Sequence, residues 1–288
     1  MKPQNDSAKK HSILASGLVA LTFLAASMGP AAADTMDIRR ADNAVSLEAG
    51  ASYLDYGETV KGRTFDTETG WLPTVDVGAS FLTDESALYP MLRNIYGRLE
   101  GRVNVGSTTY DGALQNGTPI VGSTDNRIFS VALQMGRAFS LDQPILLTPF
   151  VEIGYRHWNR DLQGIHGYSE TYTNWDAMGG LLAQYSPDSR WVLSASGAAG
   201  STFAAGMSTP ILLSGQAFGL GSEAIWRTDL KAGYLITDKI ELTTRAEYQG
   251  FSYGASRTKR VSRFRGAMEP DSSTDQTTLL VGVSYHFF

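Results

Sequence analysis

The sequence predicts an all-β protein, a single antiparallel up-and-down β-barrel of about ten strands that crosses a membrane, with twelve strands as the alternative count. Three observations carry this reading. Segments of alternating apolar and polar residues recur along the whole chain, and none of them has the length and apolarity of a transmembrane helix. The connections between them alternate strictly between short and long. Tryptophan and tyrosine fall at both ends of the apolar faces, where a barrel meets the two membrane–water interfaces.

The front end is read separately. Lys2, Lys9 and Lys10 precede an apolar run from Ile13 to Ala26, and Ala31-Ala32-Ala33 offers a small-residue cleavage site. Residues 1–33 are expected to be a cleaved signal peptide, because a spanning helix needs roughly 20 apolar residues and this run is shorter. The barrel is then expected over 34–288. Loss of three lysines and Asp6 takes the formal charge from -5 to -7. The absence of cysteine excludes a disulfide scaffold and cysteine-based metal sites. Neither a metal nor a cofactor is expected.

After a polar lead, Asp34 to Asn43, the first strand sets Val45, Leu47, Ala49, Ala51 and Tyr53 against Ser46, Glu48, Gly50 and Ser52. The polar stretch Gly57 to Gly70 is read as a long loop. The second strand sets Trp71, Val75, Val77, Ala79 and Phe81 against Thr74, Asp76 and Ser80. A turn through Pro90 leads to the third, where Ile95, Leu99, Val103 and Val105 oppose Arg98, Glu100 and Arg102. A Gly-rich stretch, Gly106 to Gly122, precedes the fourth, with Phe129, Val131, Leu133 and Met135 on one side. The fifth sets Leu147, Val151, Ile153 and Tyr155 against Glu152, Arg156, Trp158 and Arg160, and the sixth sets Trp175, Ala177, Leu181 and Tyr185 against Glu170, Tyr172, Asp176 and Gln184.

The seventh strand, from Trp191, is small and apolar. The segment Gly200 to Gly221 is unusually apolar for a loop; it either extends the flanking strands, folds into the barrel mouth, or hides the hairpin that would make twelve strands. In the eighth strand Trp226, Leu230 and Tyr234 oppose Arg227, Asp229 and Lys231. After the tight turn Thr237-Asp238-Lys239, the ninth sets Ile240, Leu242, Ala246 and Tyr248 against Glu241, Arg245 and Glu247. The closing strand sets Leu279, Val281, Val283, Tyr285 and Phe287 against Thr278, Gly282, Ser284 and His286.

This ending, Tyr285-His286-Phe287 with one further Phe288, resembles the C-terminal strand of bacterial outer-membrane β-barrels. The resemblance implies export to the outer membrane of a Gram-negative cell and a terminal aromatic read by the barrel assembly machinery. A ten-stranded barrel of this length is also similar to the omptin family of outer-membrane proteases. That resemblance implies paired carboxylates, with an Asp and a His at the extracellular rim activating a water. Here only His166, with Asp161 and Glu170, has the position for a rim acid–base pair. No closely spaced Asp pair and no Asp-x-His accompanies it, so the architecture resembles omptins and the catalytic motif does not. No catalytic residue is assigned.

The polar parity places Glu48, Asp76, Arg98, Glu100, Arg102, Glu152, Arg156, Arg160, Glu170, Asp176, Arg227, Asp229, Lys231, Glu241, Arg245 and Glu247 in the lumen. About eight strands give an interior just filled by side chains, whereas open channels need 16 or more. These charges are therefore expected to pair and plug the lumen: Asp76 with Arg98 or Arg102, Glu152 or Arg156 with Asp176, Arg227 or Lys231 with Glu247. The alternative is a narrow porin-like channel whose anion preference is set by Arg156, Arg160 and Arg245.

Arg257, Lys259, Arg260, Arg263 and Arg265 put five positive charges in nine residues on the expected cell-surface side. Lipopolysaccharide phosphate is the nearest polyanion there, and arginine binds phosphate bidentately. A solvated strand extension explains the same run. Nucleic acid is not indicated, since no aromatic platform accompanies these charges. The function expected is a plugged barrel acting in envelope structure or in surface interaction through its outer loops, with the pore and a rim protease as alternatives.

Overall fold

A computed structural model describes residues 35–60, 62–113, 118–142, 144–165, 167–210, 216–260 and 266–287. The expected signal peptide, His166, Arg263 and Arg265 lie outside them. Ten long strands form the barrel: β1 (Ala44–Val60), β2 (Arg63–Leu82), β3 (Ile95–Ala113), β4 (Pro119–Arg137), β6 (Ile145–Leu162), β7 (Tyr168–Tyr185), β8 (Trp191–Thr209), β10 (Ala224–Leu235), β11 (Ile240–Tyr253) and β14 (Asp271–His286). Four short ones, β5 (Phe139–Asp142), β9 (Gln216–Gly219), β12 (Lys259–Arg260) and β13 (Gly266–Ala267), lie in the connections. Each long strand pairs antiparallel with the next. The sheet closes where β14 pairs β1 in continuous register, from Ala44 opposite His286 to Thr59 opposite Asp271.

Among its described residues, 200–210 and 216–221, the segment from Gly200 to Gly221 adds no crossing. β8 runs through its first half, and β9 folds back along the end of β8, burying Met207 and Phe218 inside the mouth. The count is therefore ten. The stretches Gly57 to Gly70 and Gly106 to Gly122 depart from the expectation of loops: β1–β2 and β3–β4 continue as paired ladders through most of them. Beyond the membrane the outward positions no longer need to be apolar, so the strands lose the hydrophobic half of their signature and keep only their inward face.

No helix among the described residues is long and apolar enough to cross a membrane. The outward face carries Val45, Leu47, Val75, Val77, Leu99, Val151, Leu279, Val281 and Val283, all exposed. Aromatic pairs bound this band. Tyr53–Trp71, Tyr155–Trp175 and Trp226–Tyr248 lie toward the long loops, and Trp191–Tyr234 and Tyr285–Phe287 toward the short turns. An apolar belt of this size has no place in water and is the surface a bilayer covers.

The polar lead holds one further element that its composition did not announce. A short helix, α1 (Thr35–Ala41), enters the short-turn end of the barrel and buries Ile38 among Leu82, Tyr96, Ala138, Leu146 and Val192. His286 fixes it to β14: one ring nitrogen lies 2.7 Å from the Arg40 carbonyl and the other 3.0 Å from Glu241.

Candidate functional site in the lumen and mouth

A single strand passes through every layer of the interior. From the short-turn end upward, β6 presents Leu146, then Glu152 and Arg156, then Trp158, then Arg160. Period-two alternation forces all of these into the lumen. Their changing chemistry divides it into an apolar base, an ion-pair belt, an aromatic layer and a carboxylate cluster.

The belt is built on Arg245 and Arg102. Arg245 donates to Glu100 at 2.9 Å, to Glu247 at 2.8 Å and to Asp229. Arg102 donates to Asp76 at 2.8 Å and to both carboxylate oxygens of Glu247. Arg98 donates to the same Glu100 oxygen at 2.6 Å, and Arg102 reaches the other at 3.1 Å. Arg227 takes Glu152, and Lys231 sits 4.0 Å from Glu48. Arg156 donates to Gln249 and lies 3.8 Å over the Phe251 ring, while Asp176 lies against Gly154, where a side chain would meet its carboxylate at 2.6 Å. Multiple donors per carboxylate are what allow such charges to leave water, since an unpaired ion costs several kcal/mol.

Above the belt, Trp158 is fully buried between Tyr56, Tyr172 and Phe251, with ring centroids 5.4 to 6.5 Å apart, and its indole N–H donates to Asn126 at 2.7 Å. Tyr253 stacks on Tyr172 at 5.8 Å. Leu54, Leu72, Ile128 and Met207 complete the layer. Small cavities of ≈ 50 and ≈ 40 Å³ remain below it, room for a few waters each.

The top layer is one arginine among carboxylates. Arg160 donates to Glu68 at 2.6 Å and Glu170 at 2.9 Å, lies 3.6 Å from Glu58 and stacks 4.0 Å over Tyr56. Glu58, Glu170 and Glu269 each bring a carboxylate oxygen within 4.8 Å of the others, and these are the residues with the geometry to share a cation or a proton. Tyr56 donates to Glu58 at 2.7 Å, and the Tyr172 hydroxyl lies in hydrogen-bond reach of both Glu170, at 3.2 Å, and Glu269. Glu269 belongs to the connection between β11 and β14. Burial, then the neighbouring Glu170 and Glu58, push its carboxyl up to about 9.

Sequence parity places Arg160 and Glu170 in the lumen. It misses Glu58, Asp66, Glu68 and Glu269, which fall in stretches read as loops. For three of them a signal exists: counting back from Asp76 by twos through Thr74 and Leu72 reaches Glu68 and Asp66, and counting forward from Glu48 through Ser52 and Tyr56 reaches Glu58, all buried. Of the basic loop, Arg257, Lys259 and Arg260 are exposed at the long-loop end, and Lys259 donates to the Ala217 carbonyl. Asp161 accepts from Ser169 at 2.7 Å.

No protein-family model matches the chain, and no curated protein matches it in sequence. Its structure is similar to that of the outer membrane protease OmpT from Escherichia coli, with a TM-score of 0.55 and 10% identity, covering 85% of this chain and 95% of that one. The fold is that of an outer-membrane β-barrel. More distant barrels include Neisserial surface protein A, at a TM-score of 0.32 and 10% identity, covering 84% of this chain and 97% of that one. The translocator domain of the autotransporter NalP from Neisseria meningitidis gives 0.37 and 12%, covering 85% and 89%. At such identities the likeness concerns architecture, so the role of this barrel has to be read from its own interior.

Proposed function

We propose that the chain is a closed, non-conducting barrel of the bacterial outer membrane. Its long loops face outward, and it acts in envelope structure or surface interaction through them. One observation supports this above the others: the lumen is filled in successive layers, by α1, by the Arg245–Arg102 ion pairs and by the Trp158 layer. A pore needs a continuous wet path lined at its constriction by a prevailing sign of charge, whereas here each arginine of the belt faces carboxylates or an aromatic ring. The carboxylates of the mouth are engaged by Arg160 and tyrosine hydroxyls, which favours a structural role for them over rim hydrolysis.

The cationic run Arg257, Lys259, Arg260, Arg263 and Arg265 is the part of the loops whose chemistry suits a surface polyanion such as lipopolysaccharide. The test of the closed reading is single-channel recording of the refolded protein in a planar bilayer, after heat-modifiable migration has established that the barrel is folded. A folded barrel giving no current steps is the expected result. Regular ion-selective steps would refute the closed reading and direct attention to the belt arginines.

A further inference from the structure

The turn between β2 and β3, residues 83–94, has two faces of opposite chemistry. Its polar face is pinned to α1: Arg39 donates to the Thr83 carbonyl at 3.0 Å and to Asn94 at 2.6 Å, and lies 3.4 Å from Glu85. Thr83 adds bonds to the Leu92 and Ile95 segments, and Arg137 reaches the Pro90 carbonyl at 3.2 Å. These contacts fix the orientation of the turn. What they leave pointing outward is Leu88, 88% exposed, Tyr89, Met91, 75% exposed, and Leu92.

The neighbouring turn contributes Phe139 and Leu141, also exposed, and the Ala138 amide ties the two turns together by bonding to the Asn94 carbonyl at 2.8 Å. Exposed apolar residues scattered singly are ordinary, but six on two turns joined by a hydrogen bond make a candidate contact surface.

We infer that this patch docks into the bilayer leaflet at the short-turn end, with the leaflet's phospholipids as its partner. The inference rests on the membrane-spanning reading of the barrel. The chain enters this turn from the lipid-facing band through Phe81, near the end of β2, which is 44% exposed. The turn begins just past Phe81, and the β1 register sets Ser80 level with His286, between the interfacial rings Tyr285 and Phe287, at the depth where amphipathic side chains are favoured. A water-soluble partner would account for the apolar patch but not for its place at the end of the membrane band. Docking there sets the depth of the barrel and holds Arg39, and through it α1, against the base of the lumen.

The chain contains no cysteine, so single cysteines can be introduced without background. Met91→Cys and Leu88→Cys, each labelled with an environment-sensitive fluorophore, are compared in phosphatidylethanolamine–phosphatidylglycerol vesicles with two references. Val281→Cys lies on the lipid face, and Asp238→Cys in a polar turn at the same end. The expected result is blue-shifted emission at 91 and 88, quenching by lipids carrying a nitroxide near the headgroup, and iodide quenching severalfold weaker than at 238. If 91 and 88 are quenched by iodide as 238 is while 281 responds to the lipid nitroxide, the docking inference is overturned and the barrel reading stands. If 281 is also iodide-accessible and insensitive to the nitroxide, the membrane reading fails as well.

Discussion

Among the described carboxylates Glu269 is one whose ionisation the fold strongly resists, and replacing it with glutamine has a calculable consequence. Its carboxyl rises from 4.5 to about 9 when the connection between β11 and β14 is docked over the mouth, first through burial and then through Glu170 and Glu58. A raised carboxyl pKa means that docking is fully stable below about 4.5 and weakens as pH rises toward 9, because the released loop gives up a proton that the docked loop retains. At 1.36 kcal/mol per pH unit, docking has lost on the order of 3 kcal/mol by pH 7 relative to acid. Glutamine keeps an oxygen for the Tyr172 hydroxyl and removes the titration. Trypsin reads the difference, because Arg257, Lys259 and Arg260 lie in the loop and cleavage follows the released population when reclosing is fast. The ratio of wild-type to Glu269→Gln cleavage rates is expected to climb by up to about tenfold per pH unit between pH 6 and 9. A ratio independent of pH would refute the reasoning.

Two substitutions test the interior layers by urea unfolding of the refolded barrel. Arg245→Met strands Glu100, Asp229 and Glu247 without their shared donor and is expected to cost about 3–5 kcal/mol, the range for breaking a buried pair from one side; a loss under about 1 kcal/mol would mean that the belt is wet. Trp158→Ala removes the centre of the aromatic layer and the bond to Asn126, with an expected cost of about 3–5 kcal/mol and no change in the closing register. An unchanged unfolding midpoint would show that the layer contributes nothing to stability.

The membrane-crossing part of this molecule is legible in its sequence because two constraints act on every residue there. Val281 must face lipid and Gly282 must fit the lumen, and the alternation follows directly. Outside the bilayer only one constraint survives. Glu58, Asp66 and Glu68 still point inward while most of their outward neighbours, Thr59, Thr67 and Thr69, are polar, so hydropathy contrast fades although the ladder continues. Trp158 and Tyr172 fall on the polar parity and are assigned to the lumen, yet nothing local shows that they meet Tyr56, Phe251 and Tyr253 from across the barrel. Partner choice in the belt has the same limit. Parity places Glu247 inside, but which arginines reach it depends on the stagger of strands far apart in sequence. Helix α1 is too short to show a periodicity, and of its buried residues Thr35, Asp37, Ile38 and Arg39 just one is apolar.

The seam between β1 and β14 has a kinetic consequence. Most barrel strands pair with the strand made immediately before or after them, so their hairpins can form as the chain emerges. Ala44 meets His286 only when nearly everything between has been made. Until that moment two strand edges carry unpaired amides and carbonyls, each costing several kcal/mol if placed in hydrocarbon. A half-inserted sheet is therefore no resting place. Insertion and closure must be one event, and whatever shelters those two edges until they meet sets its pace.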